Sequence, residues 1–139
     1  MFHIITLSHG DLAIGFESTI NMFMGEVKNV DFLAFRPDQN ADEFKEIVTK
    51  TFMRVPKDRP VLFLTDLYGG TPHKIATELK ILFRDRVEVL SGANLPMIMS
   101  ALTLNDGNLD SVAIDTIITE YNRALVRTVI DETIDAEDE

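Results

Sequence analysis

A histidine and an aspartate, each placed directly after a strand-like run, are the residues of this sequence best suited to chemistry. His9 follows an apolar run at the N-terminus and directly precedes Gly10. Asp66 follows residues 61–65, VLFLT, the most strand-like stretch of the chain. In an open parallel sheet, ligands bind beyond the carboxyl ends of the strands. If the two strands are neighbours, we therefore expect His9 and Asp66 to meet at one edge of the sheet.

Such a pair could carry a phosphoryl group. A carboxylate bonded to one imidazole nitrogen fixes the tautomer, leaves the other nitrogen as a nucleophile and stabilises the ring when it becomes cationic. After Asp66 come Gly69-Gly70, then Thr71 as the predicted cap of a helix and Pro72 at its first position. A helix start offers N–H donors, a hydroxyl and the positive end of a dipole, which suit phosphoryl oxygens.

The sequence therefore predicts a phosphorylatable histidine. We expect His9 and Asp66 to be the catalytic residues and no metal or other cofactor to take part. The residues expected around the phosphate are Gly10, Gly69, Gly70 and Thr71.

The elements that position these residues alternate between strand and helix about four times. This pattern predicts an α/β fold, a doubly wound and mainly parallel open sheet of four strands with helices on both faces. Asp11 is the predicted cap of the first helix. The apolar stripe of that helix is expected to face inward at Leu12, Phe16, Ile20 and Phe23. Residues 126–130 fit either a continuation of the last helix or an added edge strand.

Length and composition bound the alternatives. The 139 residues suit one domain, predicted at 1–130, followed by an acidic tail at 131–139. The net charge of the whole chain is −10, and six of its 23 acidic residues lie in that tail. Residues 1–130 therefore carry a net charge of only −4. A basic stripe is missing, which argues against nucleic acid as a partner. The lack of cysteine, of a long apolar run and of a signal peptide leads us to expect a cytoplasmic protein.

Three motifs resemble a known family. SHG near the N-terminus, LTDLYGGTP in the middle and SGANLPM after the fourth predicted strand look like the mannose-type EIIA domain of the bacterial phosphoenolpyruvate-dependent sugar phosphotransferase system (PTS). The resemblance covers about residues 4–104. It implies that His9 accepts a phosphoryl group from the carrier protein HPr and passes it to a histidine of an EIIB component, with Asp66 orienting His9 and Thr71 contacting the phosphate.

The resemblance also implies partners and assembly. It implies a homodimer in which an antiparallel C-terminal edge strand is exchanged, and contact with the membrane only indirectly, through EIIC and EIID. After Thr71-Pro72 the family commonly has Phe-Asn, whereas this chain has His73-Lys74. No EIIB domain follows before Glu139, so we expect the phosphoryl acceptor to be a separate polypeptide.

Two other functions stay open at this point. A receiver-like signalling module would be phosphorylated on Asp66, although it would need acidic Mg²⁺ ligands where this chain has Ser8-His9. A metal hydrolase could be built on His3, His9 and Asp66, but a third convergent ligand is missing. For His3 we expect a packed or hydrogen-bonded core residue, and for His73 a surface residue beside the site.

Overall fold

Four parallel strands form one open sheet in this computed structural model, which describes residues 1–131. The strands are β1 (His3–His9), β2 (Val30–Phe35), β3 (Val61–Thr65) and β4 (Val87–Ser91). They lie in the order β2-β1-β3-β4, and each neighbouring pair is parallel. The predicted α/β class and four-stranded parallel sheet are therefore confirmed.

Within residues 1–131, five α-helices cover both faces of the sheet. They are α1 (Leu12–Met24), α2 (Ala41–Arg54), α3 (Thr71–Phe83), α4 (Leu95–Leu104) and α5 (Ser111–Arg123). Successive strand side chains point to opposite faces, so Ile4 packs into a core with α1, α4 and α5. Ile5 and Leu7 pack into a second core with α2 and α3. Both faces are buried, which explains why the strands are apolar at nearly every position.

The strand order places a topological switch point between β1 and β3. From β1 the chain moves to β2 on one side, then returns across the sheet to β3 on the other. Such points leave a crevice at the carboxyl ends of the two strands. The register pairs Leu7 with Thr65, so the residues that end β1 and follow β3 lie side by side.

Helix α1 buries only part of the predicted apolar stripe, since Ile20 lies in the core and Phe16 packs against it. Leu12 and Phe23 are 47% and 69% exposed, whereas Ala13 and Ile20 are fully buried. Apolar side chains occur on more than one side of this helix, so more than one face is able to pack. Periodicity alone therefore could not fix its rotation.

The C-terminal part beyond α5 has no regular structure as far as Asp131. Residues 126–130 form neither the continuation of a helix nor a strand within the chain. Exchange of this segment between subunits stays a prediction, and the acidic tail beyond Asp131 lies outside the described residues. In residues 1–131, no helix has both the length and the apolar character needed to cross a membrane.

Candidate functional site

His9 and Asp66 meet at the carboxyl edge of the sheet, as predicted. His9 is the last residue of β1, and Asp66 directly follows β3. The His9 Nδ1 atom lies 3.0 Å from Oδ2 and 3.2 Å from Oδ1 of Asp66. The backbone N–H of His9 donates to the same carboxylate, with an N to Oδ2 distance of 2.8 Å. Asp66 thus holds both the main chain and the ring of His9.

This contact determines the tautomer of His9. A carboxylate only accepts hydrogen bonds, so Nδ1 carries the proton and Nε2 carries the lone pair. Within residues 1–131, Nε2 has no hydrogen-bond partner. The His9 side chain is 42% exposed, whereas that of Asp66 is 9% exposed and also accepts from the backbone N–H of Leu67. His9 therefore presents an accessible ring nitrogen to solvent, whereas the hydrogen-bonding capacity of Asp66 is largely used.

Gly70 lies directly against the His9 ring. A Cβ atom at this position would be 2.7 Å from Cε1 and 3.3 Å from Nε2 of His9. Gly70 has an ordinary extended conformation, with φ of −73°, so the close approach rather than the backbone angle requires glycine. Gly70 also caps α3, and this corrects the prediction that Thr71 is the cap. The helix begins one residue earlier than expected because Gly70 is the last extended residue before it.

The backbone donors near His9 are already partly occupied. Three glycine N–H groups donate within the protein: Gly10 to Phe35 O at 2.7 Å, Gly69 to His73 Nδ1 at 3.1 Å and Gly70 to Leu67 O at 3.2 Å. The first turn of α3 differs, because the N–H groups of Thr71 and His73 have no acceptor within the helix. The Thr71 hydroxyl likewise has no partner in the described part of the chain. These donors lie at the positive end of a 13-residue helix.

Ser8 fixes the backbone on the other side of His9. It is fully buried, and its Oγ accepts from the N–H of Ala13 at 2.7 Å and donates to the carbonyl of Gly10 at 3.0 Å. Ser8 therefore caps α1 in place of Asp11, whose side chain makes no cap hydrogen bond. The Asp11 carboxylate accepts from Arg36 instead. The sequence did not signal this role, because Ser8 lies three residues before the cap position that Asp11 occupies.

His3 is remote from this site. Its Nε2 lies 2.7 Å from Oδ2 of Asp31, which confirms a hydrogen-bonded residue in the strand. His3 and His9 are the two ends of β1, six residue steps apart, which is about 20 Å at a rise of about 3.3 Å per residue. The two imidazoles therefore cannot ligate one metal ion, and the metal-hydrolase hypothesis was wrong. No group of three metal-ligating side chains occurs within the portion of the chain described.

His73 contributes more than the predicted surface position suggested. It is half-buried in the first turn of α3, and its Nδ1 accepts the N–H of Gly69. Its ring packs against that of Tyr68, with centroids 4.6 Å apart. Sequence reasoning missed the first of these contacts because it depends on the path of the glycine turn.

Comparison with known proteins identifies the family. The model of the family described as "PTS system fructose IIA component", EIIA-man, matches residues 3–125. Since this match covers most of the 139 residues, the chain belongs to the mannose-type EIIA family of the PTS, as the three motifs implied.

Individual relatives agree with this assignment. The chain is 29% identical to the PTS fructose-specific EIIA component of Bacillus subtilis, over 76% of this chain and 72% of that protein. It is 31% identical to the mannose-specific EIIAB component of Escherichia coli K12 over 74% of this chain, but spans only 32% of that longer protein. The crystal structure of an EIIA component from Streptococcus agalactiae covers 91% of this chain, with 26% identity, a TM-score of 0.83 and 97% of its own chain matched.

Proposed function

We propose that this PTS EIIA component carries a phosphoryl group on Nε2 of His9, accepting it from phospho-HPr and passing it to a histidine of an EIIB component. The observation that carries the proposal is the difference in hydrogen bonding between the two ring nitrogens of His9. Nδ1 is held by Asp66 at 3.0 Å, while Nε2 has a lone pair and no partner among the described residues. The family assignment supports a role in sugar phosphotransfer.

The chemistry follows from that geometry. The Nε2 lone pair attacks the phosphorus, a new N–P bond forms, and the bond between phosphorus and the donor breaks with its electron pair leaving on the donor. Nδ1 keeps its proton, so the phosphorylated ring is cationic. The Asp66 carboxylate stabilises that charge at hydrogen-bond distance, and it is already in place before the reaction. Transfer to EIIB is the reverse attack, by an acceptor nitrogen on the same phosphorus.

The residues predicted around the phosphate divide into two roles in this proposal. Thr71 supplies a hydroxyl and an N–H, at a helix end whose partial positive charge favours the phosphoryl oxygens. Gly10, Gly69 and Gly70 already use their N–H groups inside the protein. We therefore propose that the three glycines shape the space around the ring, while Thr71 donates to the phosphate.

Phosphorylation on Asp66 is the second candidate, and the geometry counts against it. The carboxylate accepts hydrogen bonds from the N–H groups of His9 and Leu67 and from the His9 ring. With its side chain 9% exposed, it offers little room for an incoming phosphoryl group. Chemical stability of the label distinguishes the two, since phosphohistidine is labile in acid and stable in base whereas an aspartyl phosphate is cleaved by hydroxylamine.

A homodimer is part of the proposal. Several large apolar side chains lie exposed on the single chain, and contact with a second copy would bury them. They include Met22 and Phe23 of α1 and Leu125, Val126, Val129 and Ile130 beyond α5. Sedimentation equilibrium of the full chain tests this, because a monomer at micromolar concentration would contradict it. Contact with the membrane only through EIIC and EIID, and a cytoplasmic location, also remain proposals, and cell fractionation tests the latter.

The direct test of the proposed function uses labelled phosphoenolpyruvate with purified enzyme I and HPr. We expect an acid-labile, base-stable label on the wild-type chain and none on His9→Ala. The matched control is His3→Gln, which removes another histidine but keeps an N–H donor where Nε2 of His3 meets Asp31. Full labelling of His9→Ala, or a label removed by hydroxylamine, would contradict the proposal.

A further inference from the structure

His73 makes a specific hydrogen bond to the turn that borders the reacting histidine. Its Nδ1 accepts the backbone N–H of Gly69 across 3.1 Å. Gly69 has a φ of +83°, a backbone conformation that glycine adopts readily and other residues rarely do. Because Nδ1 accepts, the ring is the neutral tautomer with its proton on Nε2. The N–H of Gly69 thus has a side-chain partner, which the backbone of the turn does not provide.

Gly70, the next residue, connects the position of this turn to the His9 ring. Gly70 packs so close to His9 that an added Cβ would lie 3.3 Å from Nε2 and 2.7 Å from Cε1. A second hydrogen bond, from Gly70 N–H to Leu67 O at 3.2 Å, holds the start of the turn. A small displacement of the Gly69-Gly70 peptide therefore changes the space beside the nucleophilic nitrogen.

We propose that His73 is a positioning residue for phosphotransfer, acting through the Gly69-Gly70 turn rather than on the phosphate. This inference rests on the proposed function of His9. The imidazole acceptor fixes the N–H of Gly69, which fixes Gly70 against the ring of His9, and this keeps Nε2 open to the donor. The residue type matters, because a side chain without an acceptor would leave the N–H of Gly69 without this partner.

A purely structural explanation for His73 would rest on its ring. The ring packs on Tyr68 with centroids 4.6 Å apart, and Tyr68 is 85% exposed, so this packing could order the loop by itself. Two substitutions separate packing from hydrogen bonding. His73→Asn places an amide oxygen where Nδ1 lies but removes the ring. His73→Phe keeps an aromatic ring against Tyr68 but removes the acceptor.

Two measurements on these full-length variants test the inference. The first is the rate of phosphoryl transfer from phospho-HPr to His9. We expect this rate to fall about five-fold in His73→Phe, which is the effect of losing one neutral hydrogen bond. In His73→Asn the rate should stay within about two-fold of the wild-type rate. The second is hydrogen exchange at the Gly69 amide, which does not depend on phosphotransfer. It should be about five-fold faster in His73→Phe only. Melting curves check that both variants fold.

The outcomes distinguish this inference from the proposed function. Wild-type transfer and Gly69 exchange in His73→Phe would overturn the positioning role while leaving the role of His9 intact. An equal loss of transfer in both variants would assign the effect to ring packing and would also overturn it. If the wild-type chain itself accepts no phosphate, the proposed function fails first, and the positioning of phosphotransfer fails with it.

Discussion

Replacement of Gly70 by alanine offers the sharpest test of how closely the site is built around His9. An alanine Cβ would lie 2.7 Å from Cε1 of the His9 ring. Non-bonded carbon atoms prefer about 3.5–4.0 Å, so the ring or the turn must move by about 1 Å. The ring cannot move without loosening its contact with Asp66, which is 3.0 Å from Nδ1.

The magnitude follows from that displacement. A misplacement of about 1 Å at a reacting group lowers rates by about 10²-fold. We therefore expect Gly70→Ala to slow transfer from phospho-HPr to His9 by about two orders of magnitude. The backbone at Gly70 suits alanine, with φ of −73° and ψ of 169°, so the folded state carries no added dihedral strain.

Gly69→Ala is the matched control, because the Gly69 position has free space for a Cβ but an unfavourable backbone angle, the opposite of Gly70. A Cβ at Gly69 meets no atom within 4 Å, but φ is +83°, a conformation that strains an L-residue. We expect it to lower the free energy of unfolding by about 1–2 kcal/mol and to affect transfer less than Gly70→Ala does. Rapid-quench transfer kinetics and urea denaturation of both variants supply the comparison. A wild-type transfer rate in Gly70→Ala would show that the space beside the His9 ring does not control transfer.

Other substitutions test the neighbouring contacts. Asp66→Asn should keep the fold but slow transfer by about 10- to 100-fold, since it removes the charge that stabilises the imidazolium. Circular dichroism checks the fold, and quench kinetics measure the transfer rate. An unchanged rate would leave Asp66 as a turn residue only. Ser8→Ala should lower the free energy of unfolding by about 1 kcal/mol through loss of the α1 cap. Asp11→Ala should change it by less than about 0.5 kcal/mol, and the reverse order in urea denaturation would restore Asp11 as the cap.

The sheet and the meeting of His9 with Asp66 could be predicted from the sequence. Two apolar runs that each end in a chemically capable residue fix the strands, and parallel pairing brings their carboxyl ends together. The rotation of α1 about its own axis could not be predicted in this way. Its side chains are apolar on several faces, so the burial of Ala13 rather than Leu12 depends on tertiary packing.

The finer geometry of the site depends on turns that no periodic pattern describes. Thr71 and Pro72 signalled a helix start correctly, but the cap is Gly70, the last extended residue before the helix. The hydrogen bond from Gly69 to His73 spans four residues and forms in a turn where Gly69 has a positive φ. Such contacts follow from the three-dimensional course of the loop, so the sequence could indicate the residues near the site but not their partners.

The most direct measurement of the central claim is the position of the phosphorus on the protein. Nuclear magnetic resonance of the phosphorylated chain, with ¹⁵N-labelled histidine, reports which ring nitrogen is bonded to phosphorus. The geometry predicts coupling of ³¹P to Nε2 of His9, with the proton still on Nδ1 facing Asp66. A phosphorus bonded to Nδ1 of His9, or to any group of another residue, would contradict the account.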